Sequence, residues 1–347
     1  MMMRTVKHLN LQRINDTELR VISDVELGVL PVVQEEEAVI RSYLQHCPWP
    51  HRLVSLFILQ DLQPLARQIP ADAGLLPGGA ASLAHRPVLQ IYDLQDLASC
   101  HVFVNQQAMV KAGYWEDVLA IRGLLAHEHA HPLSENETTR SSRHIHVELA
   151  LESGGGRALT TAATARQPRF WGLLQELTNT LCLSAPREIF ANDTTIAGGF
   201  AASLLHLNLR NVANLQLGLV GRTSLRKHLD QEVEQGAFTP LEADQFMLIG
   251  AMHTYLELAM EVAAFYRSGL HLQARQLESL LEAGIFPLLE PELVQTYTEL
   301  IKLYRTVRTD LNPAEMVTWC QAVAQILINC LAQKALALHA SVHISGM

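Results

Sequence analysis

The hydrophobic period of this chain changes once, near Tyr114, and that change limits what it can fold into. Before it, Arg52-Leu-Val-Ser-Leu-Phe-Ile-Leu59, Pro87-Val-Leu-Gln-Ile-Tyr92 and His101-Val-Phe-Val-Asn105 are short runs bounded by turn residues, which predict three strands. A helix is predicted over Glu35–His46, with Ala38, Val39, Tyr43 and Leu44 on one stripe, and Pro70–Pro87 reads as loop. From Tyr114 onward Trp115, Val118, Leu119, Arg122, Leu125 and Ala126 recur at three- and four-residue steps, and this helical pattern stops at Pro132.

A polar stretch, Ser134–Arg143, a segment without clear period, His144–Glu152, and a flexible Ser153-Gly-Gly-Gly-Arg157 follow. Gln167–Leu183 is helical by period, and Ser184-Ala-Pro-Arg-Glu188 starts a further helix with Ser184 as N-cap. Beyond residue 210 helices are predicted over Ser224–Gln235, Pro240–Tyr266, His271–Ala283, Pro291–Arg308 and Pro313–Ala340. The expected fold is α+β, with a domain over 1–210 and an all-α domain over 211–347; 347 residues exceed one core of usual size.

Composition narrows the function classes. Lys+Arg total 26 against 35 Asp+Glu, a net charge of −9, and the nearest basic run is the short Arg222–His228. No nucleic-acid partner is expected, since phosphate contacts need clustered cations. Cys47, Cys100, Cys182, Cys320 and Cys330 are widely spaced and odd in number, the usage of a reducing compartment rather than of a disulfide framework or a Cys-ligated zinc site. Met1–Asn10 holds no apolar run, and the apolar stretch Trp319–Ile344 is interrupted by Gln321, Gln325, Asn329, Gln333, Lys334 and His339. The expectation is a soluble, cytoplasmic protein with no membrane segment.

The chemistry is concentrated in His127-Glu128-His129-Ala130-His131. On a helix, residues four apart point the same way, so His127 and His131 can hold one zinc ion while Glu128 takes a proton from the water beside it. The plain alternative is a His-rich helix end with solvated imidazoles, favoured there by the helix dipole. His129 points about 200° away from His127 on a helix and is expected to be solvated or to support the ligands from outside. Read as a strand, His127, His129 and His131 would instead share one face and form a different metal site.

A hydrolytic zinc needs a third protein ligand. Glu188 opens a later helix with Asn192 one turn on, while His144, His146, Glu135, Glu137 and Glu176 are rivals by sequence. The pairing of His-Glu-x-x-His with a later Glu resembles the gluzincin metallopeptidases over roughly residues 50–205. That resemblance implies a zincin-like fold, a small mixed or antiparallel sheet with metal-binding helices. It also implies His127, His131 and Glu188 as zinc ligands, Glu128 as general base, and a peptide or protein as substrate. It further implies a substrate-binding sheet edge, for which His101–Asn105 stands in the right order, and an oxyanion-stabilising His or Tyr, for which His206, His253 and Tyr255 are candidates. The family places an Asp four residues after its ligand Glu. Here Asn192 stands at that position and Asp193 one further, so either is a candidate support for a ligand histidine. The C-terminal helices are expected to close the cleft or to bind partners. Two other readings are a catalytically weak interaction or regulatory protein, and another metal-dependent hydrolase using the His127-x-His129-x-His131 cluster.

Overall fold

Asn15-Asp16, two residue types that tolerate the tight backbone of a short hairpin, join the first two strands, with Asn15 at φ 53°. The structure, a computed structural model, describes residues 8–67, 85–151 and 168–344. Ser153–Arg157 and most of the predicted loop Pro70–Pro87 lie outside the described residues. Strands β1 (His8–Ile14) and β2 (Thr17–Ser23) pair antiparallel. Helix α1 (Val29–His46) then leads to β3 (Leu53–Leu59), parallel to β2. After the short α2 (Gln63–Ala66) come β4 (Val88–Tyr92) and β5 (Ser99–Asn105). Strand β5 is parallel to β3 and antiparallel to β4, which gives a mixed five-stranded sheet in the order β1-β2-β3-β5-β4. The predicted open edge at His101–Asn105 is therefore corrected: it lies inside β5, hydrogen-bonded on both sides, and β4 is the edge strand on that side of the sheet among the described residues.

Three rows cross one face of this sheet. Leu19, Val54 and Cys100 stand in register, as do Val21, Leu56 and Val102, and then Ser23, Ile58 and Val104; all are buried. The period-2 alternation of each strand directs these residues one way. Helix α1 and, after α3 (Gln106–Ala112), helix α4 (Val118–Leu133) complete this core with Val32, Val39, Ile40, Ile121, Leu125 and Ala126. Tyr43 of α1, fully buried, donates its hydroxyl to the carbonyl of Ala126 at 2.7 Å and so ties the two helices together.

The chain forms two compact units, one from the residues up to Ser134 together with Ala191–Arg210, the other from Glu135–Phe190 and the residues from Asn211 on. Along the remaining chain run α5 (Glu137–Ser142), β6 (Ile145–Leu151), α6 (Pro168–Asn179), a π-helical turn (Thr180–Ser184) and α7 (Ala185–Thr195). A second π-helical turn (Ile196–Phe200) leads into α8 (Ala201–Glu234). Then follow α9 (Pro240–Tyr255), α10 (Leu258–Arg267), α11 (His271–Gly284), α12 (Pro291–Tyr304), α13 (Pro313–Ala332) and β7 (Leu338–Ile344).

Two expectations fail here for identifiable reasons. The back half is mostly helical but not all-α, because β7 pairs antiparallel with β6. Leu338, Ala340, Val342 and Ile344 alternate with His339, Ser341 and His343, a strand period, and the helix predicted to Ala340 ends at Ala332. Ser184 does not cap a new helix either, since the backbone runs through the π-helical turn into α7. Pro186 has no N–H for the Cys182 carbonyl four residues back. That carbonyl accepts from the Cys320 thiol at 3.6 Å instead, and the neighbouring Leu181 carbonyl accepts from Tyr304 at 2.9 Å. Among the described residues α13 alone is long and apolar enough to cross a membrane, and half of its most apolar window is buried, as in a core helix.

At Gly123 the backbone of α8 comes close to α4. A methyl group there would lie 2.8 Å from the Ser203 carbonyl oxygen, a backbone atom that cannot turn aside. On a free helix Gly→Ala gains up to about 1 kcal/mol. Overpacking costs about 1–3 kcal/mol, and a backbone clash belongs at the upper end. Gly123→Ala is expected to lose about 1–2 kcal/mol net, read from urea unfolding; an unchanged or raised midpoint contradicts this packing.

Candidate metal centre

Helix α4 begins at Asp117, whose Oδ1 accepts from the Ala120 N–H at 3.1 Å. His206 Nε2 lies 2.8 Å from Asp117 Oδ2, so this candidate for oxyanion stabilisation serves the helix cap instead. The buried stripe differs from the predicted one. Val118 and Leu119 are exposed and Arg122 pairs with Glu35 at 2.5 Å, while Ala120, Ile121, Leu125, Ala126 and Ala130 face the core. The helix continues through Pro132 to Leu133, so all of His127–His131 is helical. That corrects the strand reading of the three histidines.

The helical spacing brings the His127 and His131 rings to a centroid distance of 4.7 Å, nearly perpendicular at 80°. The third residue comes from α7. Helix α7 carries Glu188 and, one turn later, Asn192. Donor atoms of His127, His131 and Glu188 all lie within 4.8 Å of one another. Ligand atoms on one tetrahedral zinc stand roughly 3.3 Å apart, so small rotamer adjustments suffice.

Asn192 decides the tautomer. Buried at 3% exposure, its Oδ1 accepts the Nδ1–H of His127 at 2.8 Å, which leaves the Nε2 lone pair for a metal. Between Asn192 and Asp193, the side chain holding His127 is thus Asn192. The donor set and this fixed tautomer fit a divalent zinc ion. Glu128, next to the ligands, accepts the Gln90 N–H of edge strand β4 at 3.2 Å through Oε2. The carboxylate is thereby held against the sheet edge.

The rivals for third ligand are engaged elsewhere or exposed. Glu135 pairs with Arg143 at 2.7 Å and His146 with Glu148 at 3.0 Å, while His144, Glu137 and Glu176 face outward. The His253 Nε2–H donates to the Leu173 carbonyl at 2.9 Å. Tyr255 is buried in the second unit at 3% exposure. Both are accounted for as packing within that unit.

His129 corrects the expectation of a solvated ring. It is fully buried, with Nε2 2.7 Å from Glu36 Oε1 and Nδ1 3.0 Å from the Gln90 amide. Burial pulls its pKa down, but the Glu36 carboxylate and Cys100 outweigh that and hold it at about 10. Nothing in the spacing of the histidines reveals this. Glu36 does carry a signal: it falls on the stripe Val29, Val32, Val33, Val39, Ile40 and Tyr43 of α1, where a carboxylate needs a buried partner.

Asn192→Ala is expected to weaken metal affinity about 10- to 100-fold by freeing the His127 ring, measured by competition with a chelator. Equal affinity in the variant removes Asn192 from the site. Comparison with protein-family models, with curated proteins and with solved structures finds no match to this chain.

Proposed function

We propose that this chain is a zinc-dependent metallopeptidase. The observation that carries the reading is the convergence of His127, His131 and Glu188 donor atoms within 4.8 Å, with Glu128 adjacent in sequence to the first of them. When bound, zinc would polarise a carbonyl and bring the pKa of a water towards about 7. Glu128 takes the proton of the attacking water and delivers it to the leaving amine as the C–N bond breaks. The Gln90 contact orients the carboxylate for both transfers. Asn192 keeps the His127 lone pair directed at the ion. An extended peptide fits this arrangement, because β4 is an edge strand that passes the Glu128 carboxylate and offers main-chain groups for pairing.

The two carboxylates have separable roles, which makes the proposal testable. Glu128→Gln should lower hydrolysis of a peptide library by at least about 100-fold while the bound metal is unchanged. Glu188→Ala should lose the ion of this centre on dialysis and the activity with it. Peptide cleavage followed by mass spectrometry, with metal content by elemental analysis, reads both. Full turnover in Glu128→Gln, or unaltered metal content in Glu188→Ala, overturns the assignment.

A further inference from the structure

A second group of metal-binding side chains lies in the core of the first unit, on the opposite side of α4. His51, just before β3, Cys100 of β5 and His129 of α4 bring their donor atoms within 4.8 Å of one another. All three are buried, with exposures of 2%, 0% and 0%. Ordinary packing does not account for His51. Its Nδ1–H donates to the Leu97 carbonyl at 2.5 Å, which puts the lone pair on Nε2. That Nε2 is buried and has no hydrogen-bond partner among the described residues. An acceptor left unsatisfied in the interior loses its water without gaining a partner, and this is destabilising. A ring with one nitrogen on a backbone carbonyl and the other bare is the arrangement of a metal-ligating histidine.

We propose that His51 Nε2, Cys100 Sγ and His129 bind a second divalent metal ion, buried in the core of the first unit and distinct from the one proposed at His127, His131 and Glu188. Two imidazoles and one thiolate suit zinc, which takes nitrogen and sulfur ligands together. His129 coordinates through Nδ1. The alternative, giving up the Nε2 contact, would strand the Glu36 carboxylate, whereas releasing Nδ1 costs one contact to the neutral Gln90 amide. Glu36 then remains on the Nε2–H as the carboxylate behind a metal-bound imidazole. Metal entry releases the Cys100 thiol proton, while His129 Nδ1, which accepts from the Gln90 side-chain amide at 3.0 Å, turns its lone pair to the ion. The ion would join β3, β5 and α4 and set the position of the helix that carries the proposed catalytic residues.

The experiment is cobalt substitution of the full chain, with metal stoichiometry by elemental analysis. The cobalt protein should show a near-ultraviolet thiolate-to-metal charge-transfer band that disappears in Cys100→Ser. Wild type should bind two ions per chain, Cys100→Ser and His51→Gln one each, and His127→Ala should lose one ion but keep the thiolate band. A single ion retained by Cys100→Ser and lost by His127→Ala overturns the second site. The reverse, a single ion with a thiolate band that survives His127→Ala, upholds it while removing the proposed catalytic centre. Should the core variants fail to fold, the wild-type spectrum decides, since its lack of a thiolate band overturns the proposal.

Discussion

The contact between Glu36 and His129 constrains everything else in the first unit. Both side chains are fully removed from water, 2.7 Å apart. A buried carboxylate facing an imidazole need not be better than apolar packing, but losing either partner leaves a group that costs about 3–5 kcal/mol. Its consequence is rotational. Only one setting of α4 about its axis lets His129 reach Glu36, and residues two positions away on a helix point about 200° in the other direction. Turning His129 inward turns His127 and His131 outward together. The same five residues therefore supply a core anchor and a pair of candidate metal ligands.

The other half of the candidate centre depends on an irregular helix start. Glu188 stands two residues after Pro186, where a regular α-helix would leave the Cys182 carbonyl without its usual donor. The Cys320 thiol and the Tyr304 hydroxyl supply donors to the carbonyls of Cys182 and Leu181, so the widened turn before α7 is satisfied rather than frayed. From there one regular turn separates Glu188 from Asn192. Position along α7 is thus set by hydrogen bonds in the interior, and the second π-helical turn at Ile196–Phe200, with Gly199 at φ 91°, closes the same segment.

Periodicity and spacing made the helix of His127 and His131 legible, along with three strands and the helix starts at Pro240, Pro291 and Pro313, because each has a local cause. The hairpin of β1 and β2 was legible in principle through Asn15-Asp16, but Leu9 and Leu11 are 75% and 64% exposed, so the strand lacks a clean buried face to announce it. β7 was hidden by its apolar content, which a helix and a strand share until the alternation of His339, Ser341 and His343 is read. The cluster of Glu36, His51, Cys100 and His129 was not legible at all by spacing. Its members come from four separate elements, and only sheet register and helix packing bring them together. A charged residue on an apolar stripe and a histidine between two others were the available hints.

Asn192 also follows from charge. With Glu128 and Glu188 ionised, a divalent ion at the candidate centre is balanced to zero by these two carboxylates. An aspartate in place of Asn192 would strengthen the basicity of the His127 ring but add a third negative charge at a position 3% exposed to water. Burying an uncompensated charge costs several kcal/mol, whereas the neutral amide still accepts the Nδ1–H at 2.8 Å. The amide gives orientation without charge, and orientation is what the tautomer of His127 requires. The second cluster obeys the same balance: one thiolate and the Glu36 carboxylate would neutralise one divalent ion, so each proposed ion has two negative charges of its own and neither site draws on the other.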